Sequence, residues 1–82
     1  MYLHIGQSEV VPFEEVVGVF DLDNATYSKR TRDFLERSEI DGTLVTLGQR
    51  LPVSLVVTTE KTYLSPISSQ TLNRRLAENR WE

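Results

Sequence analysis

The clearest patterning of hydrophobic and polar positions runs from Leu51 to Leu76. Residues 53–59 are mostly β-branched or aliphatic, a composition suited to a pleated, half-buried surface. Alternation places Val53, Leu55 and Val57 on one face and Ser54, Val56 and Thr58 on the other. Glu60-Lys61 interrupts the run and Thr62–Leu64 resumes it, which predicts a reversal and an antiparallel partner strand. Pro66 has no N–H to give to a ladder, so the second strand should stop at Ser65. Ser68 then suits the N-cap of a helix over Ser69 to about Asn79. Ile67 stands before that cap and Leu72 at the fourth helical position, the arrangement of a hydrophobic staple.

The earlier chain follows the same logic. Tyr2-Leu3-His4-Ile5, ended by Gly6, predicts a first strand, and Val10-Val11 a second that Pro12 ends or places at an edge. Glu14-Glu15 could open a helix, but the β-branched run around Gly18 makes Val16–Asp21 a third strand. Residues 21–26 are crowded with capping side chains, and Asn24 or Thr26 caps a helix over Tyr27–Glu39. Tyr27, Thr31, Phe34, Leu35 and Ser38 share one face of it. Asp41-Gly42 ends that helix. Thr43–Leu47 predicts a strand, and Gly48-Gln49-Arg50 an exposed loop leading into the hairpin. The order β-β-β-α-β-β-β-α describes one α+β domain over residues 1–82, with a small, mainly antiparallel sheet and two helices. The first helix should cover one sheet face. The second, with a narrow stripe of Leu72, Leu76 and Ala77, should pack against a neighbouring subunit.

Size changes this picture. A chain of 82 residues buries only about 60–65% of its unfolded surface, so its own core is thin. It has no cysteine, which removes disulfides and thiolate metal sites, and one histidine, which removes a multi-histidine site within one chain. Assembly with further copies is the remaining route to extra stability. The chain opens without a basic, hydrophobic leader, and no apolar run approaches about 18 residues. The expectation is a soluble cytoplasmic protein with no membrane contact.

Catalysis finds no support. His4 lies between Leu3 and Ile5 with no identifiable orienting partner, and reads as a histidine on a sheet face or subunit contact. Asp21 and Asp23 are spaced like calcium-loop ligands, yet the loop's glycine and twelfth-position glutamate are absent. The serines at 65, 68 and 69 are explained by strand ending and capping, and Gly18 and Gly48 belong to no phosphate-cradling motif. The chain is expected to be neither an enzyme nor a cofactor binder.

Charge is more informative. Nine basic and twelve acidic residues give a net charge of −3, which does not favour nucleic acid on composition alone. Lys29, Arg30, Arg32 and Arg37 lie on the first helix. Lys29/Asp33, Arg32/Glu36 and Arg37/Asp41 are spaced to pair, each pair contributing a few tenths of a kcal/mol. A solvated, self-neutralised face accounts for these four. Arg74, Arg75 and Arg80 crowd the end of the last helix, where its dipole favours cations. Arg50 differs, being on a loop with no acidic residue nearby in sequence. Repeated around a closed ring, it would form a periodic band of positive charge able to follow a phosphate backbone.

Three segments together carry a resemblance. They are Tyr2–Gly6 with Val10–Pro12 and Val16–Asp21, then Thr26–Leu35, then the hairpin ending in Tyr63–Pro66 with Thr71-Leu72. With them the chain resembles the bacterial extracellular-matrix (biofilm) regulators of the RemA/RemB family, more closely the RemB branch. The resemblance implies a small α+β protomer that closes into a homo-oligomeric ring and regulates matrix-gene transcription through double-stranded DNA. It also implies DNA-contacting arginines in a Gly-Arg-Arg loop before the central hairpin and in an early strand. Here the loop reads Gly48-Gln49-Arg50, so one arginine matches and one is replaced, and Glu14-Glu15 stands near the early arginine position. The expected DNA contacts are Arg50 with Lys29, Arg30 and Arg32. The alternative is the same ring acting on a protein partner without DNA.

Overall fold

In the computed structural model, β1 (Tyr2–Gly6) and β2 (Glu9–Pro12) form a two-stranded antiparallel ribbon, with Leu3 opposite Val11 and His4 opposite Val10. The structure describes residues 1–22 and 29–79, with Thr31 and Asn79 described as backbone alone. A single 3-10 turn, Phe13–Glu15, leads into β3 (Val16–Asp21). Then come α1 (Lys29–Ile40), β4 (Leu44–Thr46), β5 (Ser54–Thr58), β6 (Thr62–Ser65) and α2 (Ser69–Asn79). The element order matches the sequence reading. The expected caps Asn24 and Thr26, and the helix start at Tyr27, lie outside the described residues.

The strands form two sheets rather than one. Beside the ribbon stands a four-stranded sheet of order β3-β5-β6-β4, in which β4 runs parallel to β6 and the other pairings are antiparallel. The parallel pair follows from loop lengths. A tight turn at Thr59-Glu60, held by the Thr58 N–H on the Lys61 carbonyl at 2.9 Å and by the Thr58 hydroxyl on the same carbonyl at 2.6 Å, pins β6 beside β5. The longer connection from Leu47 to Val53 lets the chain step past the place β6 will fill.

One face of the sheet carries the row Val19, Val56, Tyr63 and Val45, directly opposite one another across all four strands. This row packs with Leu3, Ile5, Val11, Leu47 and Leu72, so the core sits between the sheet, the ribbon and α2. The Ser54-Val56-Thr58 face of β5 is therefore the core side. Its polar members are satisfied: the Ser54 hydroxyl donates to the Ile67 carbonyl and the Thr58 hydroxyl to that of Lys61. A buried hydroxyl that keeps a partner avoids the desolvation cost of an orphan.

The two helices divide the burial differently from expectation. α2 packs against its own chain, with Leu72 fully buried and Leu76 and Ile67 against the same core. The Ser68 hydroxyl accepts the Thr71 N–H at 3.1 Å, closing the cap. α1 covers less. Ser38 is buried and Leu35 half-buried, whereas Phe34 and Ile40 remain 42% and 75% exposed. The reason is that Leu72 sits behind a fixed cap that aims it inward, while α1 leans mainly on the short edge strand β4. Its end is well defined: Gly42 at φ 76° lets the N–H groups of Thr43 and Gly42 reach the Ser38 and Glu39 carbonyls at 2.9 and 3.1 Å.

Candidate nucleic-acid interface

The loop after β4 is fastened at both ends. The Leu47 N–H donates to the Leu64 carbonyl at 3.0 Å and the Val53 N–H to that of Ser65 at 2.9 Å. Between them the chain turns at Gly48, φ 77°, whose α-carbon faces Pro66; a side-chain carbon added there would lie 3.7 Å from the proline ring. Gln49, Arg50 and Leu51 stand outward and exposed. Among the described residues Arg50 makes no hydrogen bond or ion pair, so its guanidinium fork is available to an oxyanion.

This loop lies at one end of the four-stranded sheet. Asp21 pairs with Ser54 there, and the Leu22 N–H reaches the Val53 carbonyl at 3.0 Å, so the chain leaves β3 toward α1 from the same end. On α1, Lys29, Arg30 and Arg32 are all exposed. Only one of the three expected ion pairs forms, Lys29 with Asp33 at 3.3 Å. Arg32 and Arg37 do not reach Glu36 and Asp41 among the described residues. Asp41 lies beyond the last helical residue, and exposed pairs of this kind compete poorly with water. Arg30, Arg32 and Arg37 therefore keep their charge unneutralised by any described carboxylate, more than the self-neutralised reading allowed.

Glu14 and Glu15 lie elsewhere. The Glu15 carbonyl accepts the Thr59 N–H at 3.0 Å and Val16 pairs with Thr58, which puts both glutamates at the far end of the sheet from Arg50. Glu9, Glu15 and Glu60 also act on Tyr63, whose hydroxyl is held above its usual pKa first by burial and then by these three carboxylates. Glu15 and Glu60 thus stand at the end of the sheet opposite Arg50.

His4 is exposed on the outer face of the ribbon, its Nε2 2.6 Å from the Gln7 carbonyl, while its own carbonyl accepts from Arg75 Nη1 at 3.0 Å. The first contact is local and the second ties α2 to the ribbon, in keeping with a sheet-face histidine. Asp21 ends β3, and Asp23 lies outside the described residues. Among the described residues no three metal-ligating side chains come together, and no helix is long and apolar enough to cross a membrane. Sequence reasoning missed the exposed apolar side chains Val17, Phe34 and Ile40. Ile40 alone gave a signal, being off the helix stripe and next to the Asp41-Gly42 stop.

Known proteins are similar to this sequence over nearly its whole length. The family model for RemA-like proteins, described as extracellular matrix regulatory protein A-like, matches residues 2–76. Extracellular matrix regulatory protein B of Bacillus subtilis (strain 168) is 37% identical over 75 residues, covering 92% of this chain and 89% of that protein. With the family model spanning the ribbon, the four-stranded sheet and most of α2, and the relative covering 92% of the chain, the chain belongs to the RemA-like family of extracellular matrix regulatory proteins, on its RemB side.

Proposed function

We propose that this chain is a cytoplasmic regulator of extracellular-matrix gene expression that works without a cofactor. Identical subunits join head to tail into a closed ring, and each copy touches duplex DNA weakly through Arg50, supplemented by Lys29, Arg30 and Arg32. The observation that carries this reading is the state of Arg50: exposed, unpaired among the described residues, and set at a loop tip whose backbone is fastened on both sides. A single such arginine binds phosphate weakly. Repeated once per subunit on a rigid ring, it gains through effective concentration, because the second contact is intramolecular once the first is made. The name of the similar B. subtilis protein, an extracellular matrix regulatory protein, supports the regulatory part of the reading.

A second reading has its own observation. The net charge of −3 and the three carboxylates Glu9, Glu15 and Glu60 within reach of Tyr63 suit a basic protein partner better than phosphate. In that case the ring acts as an interaction module without DNA. A mobility-shift titration of duplex DNA across a salt series separates the two. DNA contact requires an affinity that falls steeply with salt, as each neutralised phosphate releases counterions. An absence of any shift at low salt gives the interaction module.

A further inference from the structure

Two surfaces on opposite edges of the sheet complement each other. The order β3-β5-β6-β4 makes β3 and β4 the edges. Beside β3 lies an open groove of about 670 Å³, lined mainly by Met1, Phe13, Glu14, Val16, Val17 and Leu76. Met1 and Val17 are 58% and 66% exposed there, Val17 at a register shift between Val16 and Gly18 that interrupts regular pairing. On the other edge, α1 presents Phe34, Arg37 and Ile40, spaced by three and so forming one ridge along the helix. Phe34 and Ile40 are exposed, and Arg37 has no partner among the described residues.

The heights of the two surfaces also match. Glu14 precedes β3, and the next residue's carbonyl takes the Thr59 N–H. α1 ends just before Thr43, whose carbonyl takes the Thr62 N–H at 2.8 Å. Thr59 and Thr62 flank the same turn. Glu14 and Arg37 therefore sit at the same end of the sheet, on opposite edges and with opposite charge.

We propose that the groove beside β3 receives the Phe34–Arg37–Ile40 ridge of a second copy of this chain, with Glu14 facing Arg37 across the contact. The inference rests on the ring reading and names the surfaces that build it. The contact is heterologous, since groove and ridge differ, so it repeats head to tail. Because both surfaces lie at one end of the sheet, the contact adds little rise along the strands, which is the condition for head-to-tail copies to close into a ring and not a filament. Met1, Val17, Phe34 and Ile40, otherwise in water, supply the apolar burial. The Glu14–Arg37 pair sets register and excludes wrong partners, which is what rim charges do best. Arg50, at the opposite end of the sheet, stays outside the contact.

Light scattering of the full chain and three variants tests this, with circular dichroism confirming that each is folded. Wild type is expected at an oligomer mass. Glu14→Arg and Arg37→Glu each juxtapose like charges in every contact, so each should drop toward the monomer mass. The double variant restores opposite charges and should recover the wild-type mass. If the wild type assembles and neither single variant changes its mass, this contact is wrong while the ring stands. If both singles dissociate and the double stays dissociated, the pairing of these two residues is wrong. A monomeric wild type overturns the ring and this inference together.

Discussion

Arg50 and Glu15 stand at opposite ends of the four-stranded sheet, separated by the length of β5. Arg50 lies on the loop that enters that strand, while the Glu15 carbonyl is bonded to the turn that leaves it. Five residues of strand put roughly 17 Å between the two ends. That exceeds the Debye length of about 8 Å at physiological ionic strength. Within one subunit the glutamate's repulsion of phosphate is therefore screened from the arginine's attraction.

Glu15→Arg should then leave Arg50-dependent DNA affinity nearly unchanged at physiological salt. At about 0.01 M salt, where the Debye length reaches roughly 30 Å, a modest gain should emerge. Paired titrations at the two salt concentrations check this. A large gain at the higher one would place Glu15 on the DNA face, brought there by a neighbouring subunit.

Leu72 and its cap dominate the stability of α2. Leu72→Ala removes a fully buried side chain from the core and should cost about 2–5 kcal/mol. Ser68→Ala loses the hydroxyl that holds the Thr71 N–H and should cost about 1 kcal/mol. Denaturant unfolding with constant slope reads both values. An unchanged midpoint in both would mean that α2 contributes little to the fold.

Ser65 ties the hairpin to the ribbon. Its buried hydroxyl donates to the Ile5 carbonyl at 2.6 Å and accepts the Ile67 N–H at 3.0 Å. Ser65→Ala leaves a buried carbonyl and a nearby N–H without this partner, and should destabilise the protein by about 1–3 kcal/mol. Thermal unfolding checks it. A neutral result would mean that water replaces the hydroxyl at both groups.

Tyr63 gives the fold a high-pH limit. Its pKa is raised above 10.0 in the folded chain by burial and by Glu9, Glu15 and Glu60. Above that value the unfolded chain loses the phenolic proton while the folded chain still holds it. The unfolded state then binds fewer protons, and stability falls as pH rises. The stabilising difference is fully present below pH 10 and is lost as pH climbs through the folded value. Tyr63→Phe should flatten the stability profile above pH 10 relative to wild type. Equal slopes in the two proteins would contradict it.

Much of this was legible in the sequence because local signals agreed. Pro66 ended β6, Ser68 capped α2, and Asp41-Gly42 ended α1, since each acts through its own backbone or its immediate neighbours. What was not legible depended on distant parts of the chain. The division into two sheets and the parallel β4–β6 pair depend on where a loop crosses, which the periodicity of Val53–Thr59 does not encode. How much each helix buries depends on what it meets, and among the described residues α1 meets the edge strand β4 more than any other element. Of the candidate site, the exposure of Arg50 followed from Gly48 and its place between strands. Its separation from Glu15 became visible only with the strand register.

The salt dependence of DNA binding by wild type and Arg50→Ala, measured side by side, tests the central claim most directly. Each phosphate neutralised contributes a slope of roughly −0.9 in log affinity against log salt. Wild type should shift duplex DNA at low salt, with a slope worth several phosphates. Arg50→Ala should lose that slope and most of the binding while keeping its mass and melting temperature. Wild type and variant giving the same slope, or neither shifting DNA at low salt, would contradict the account.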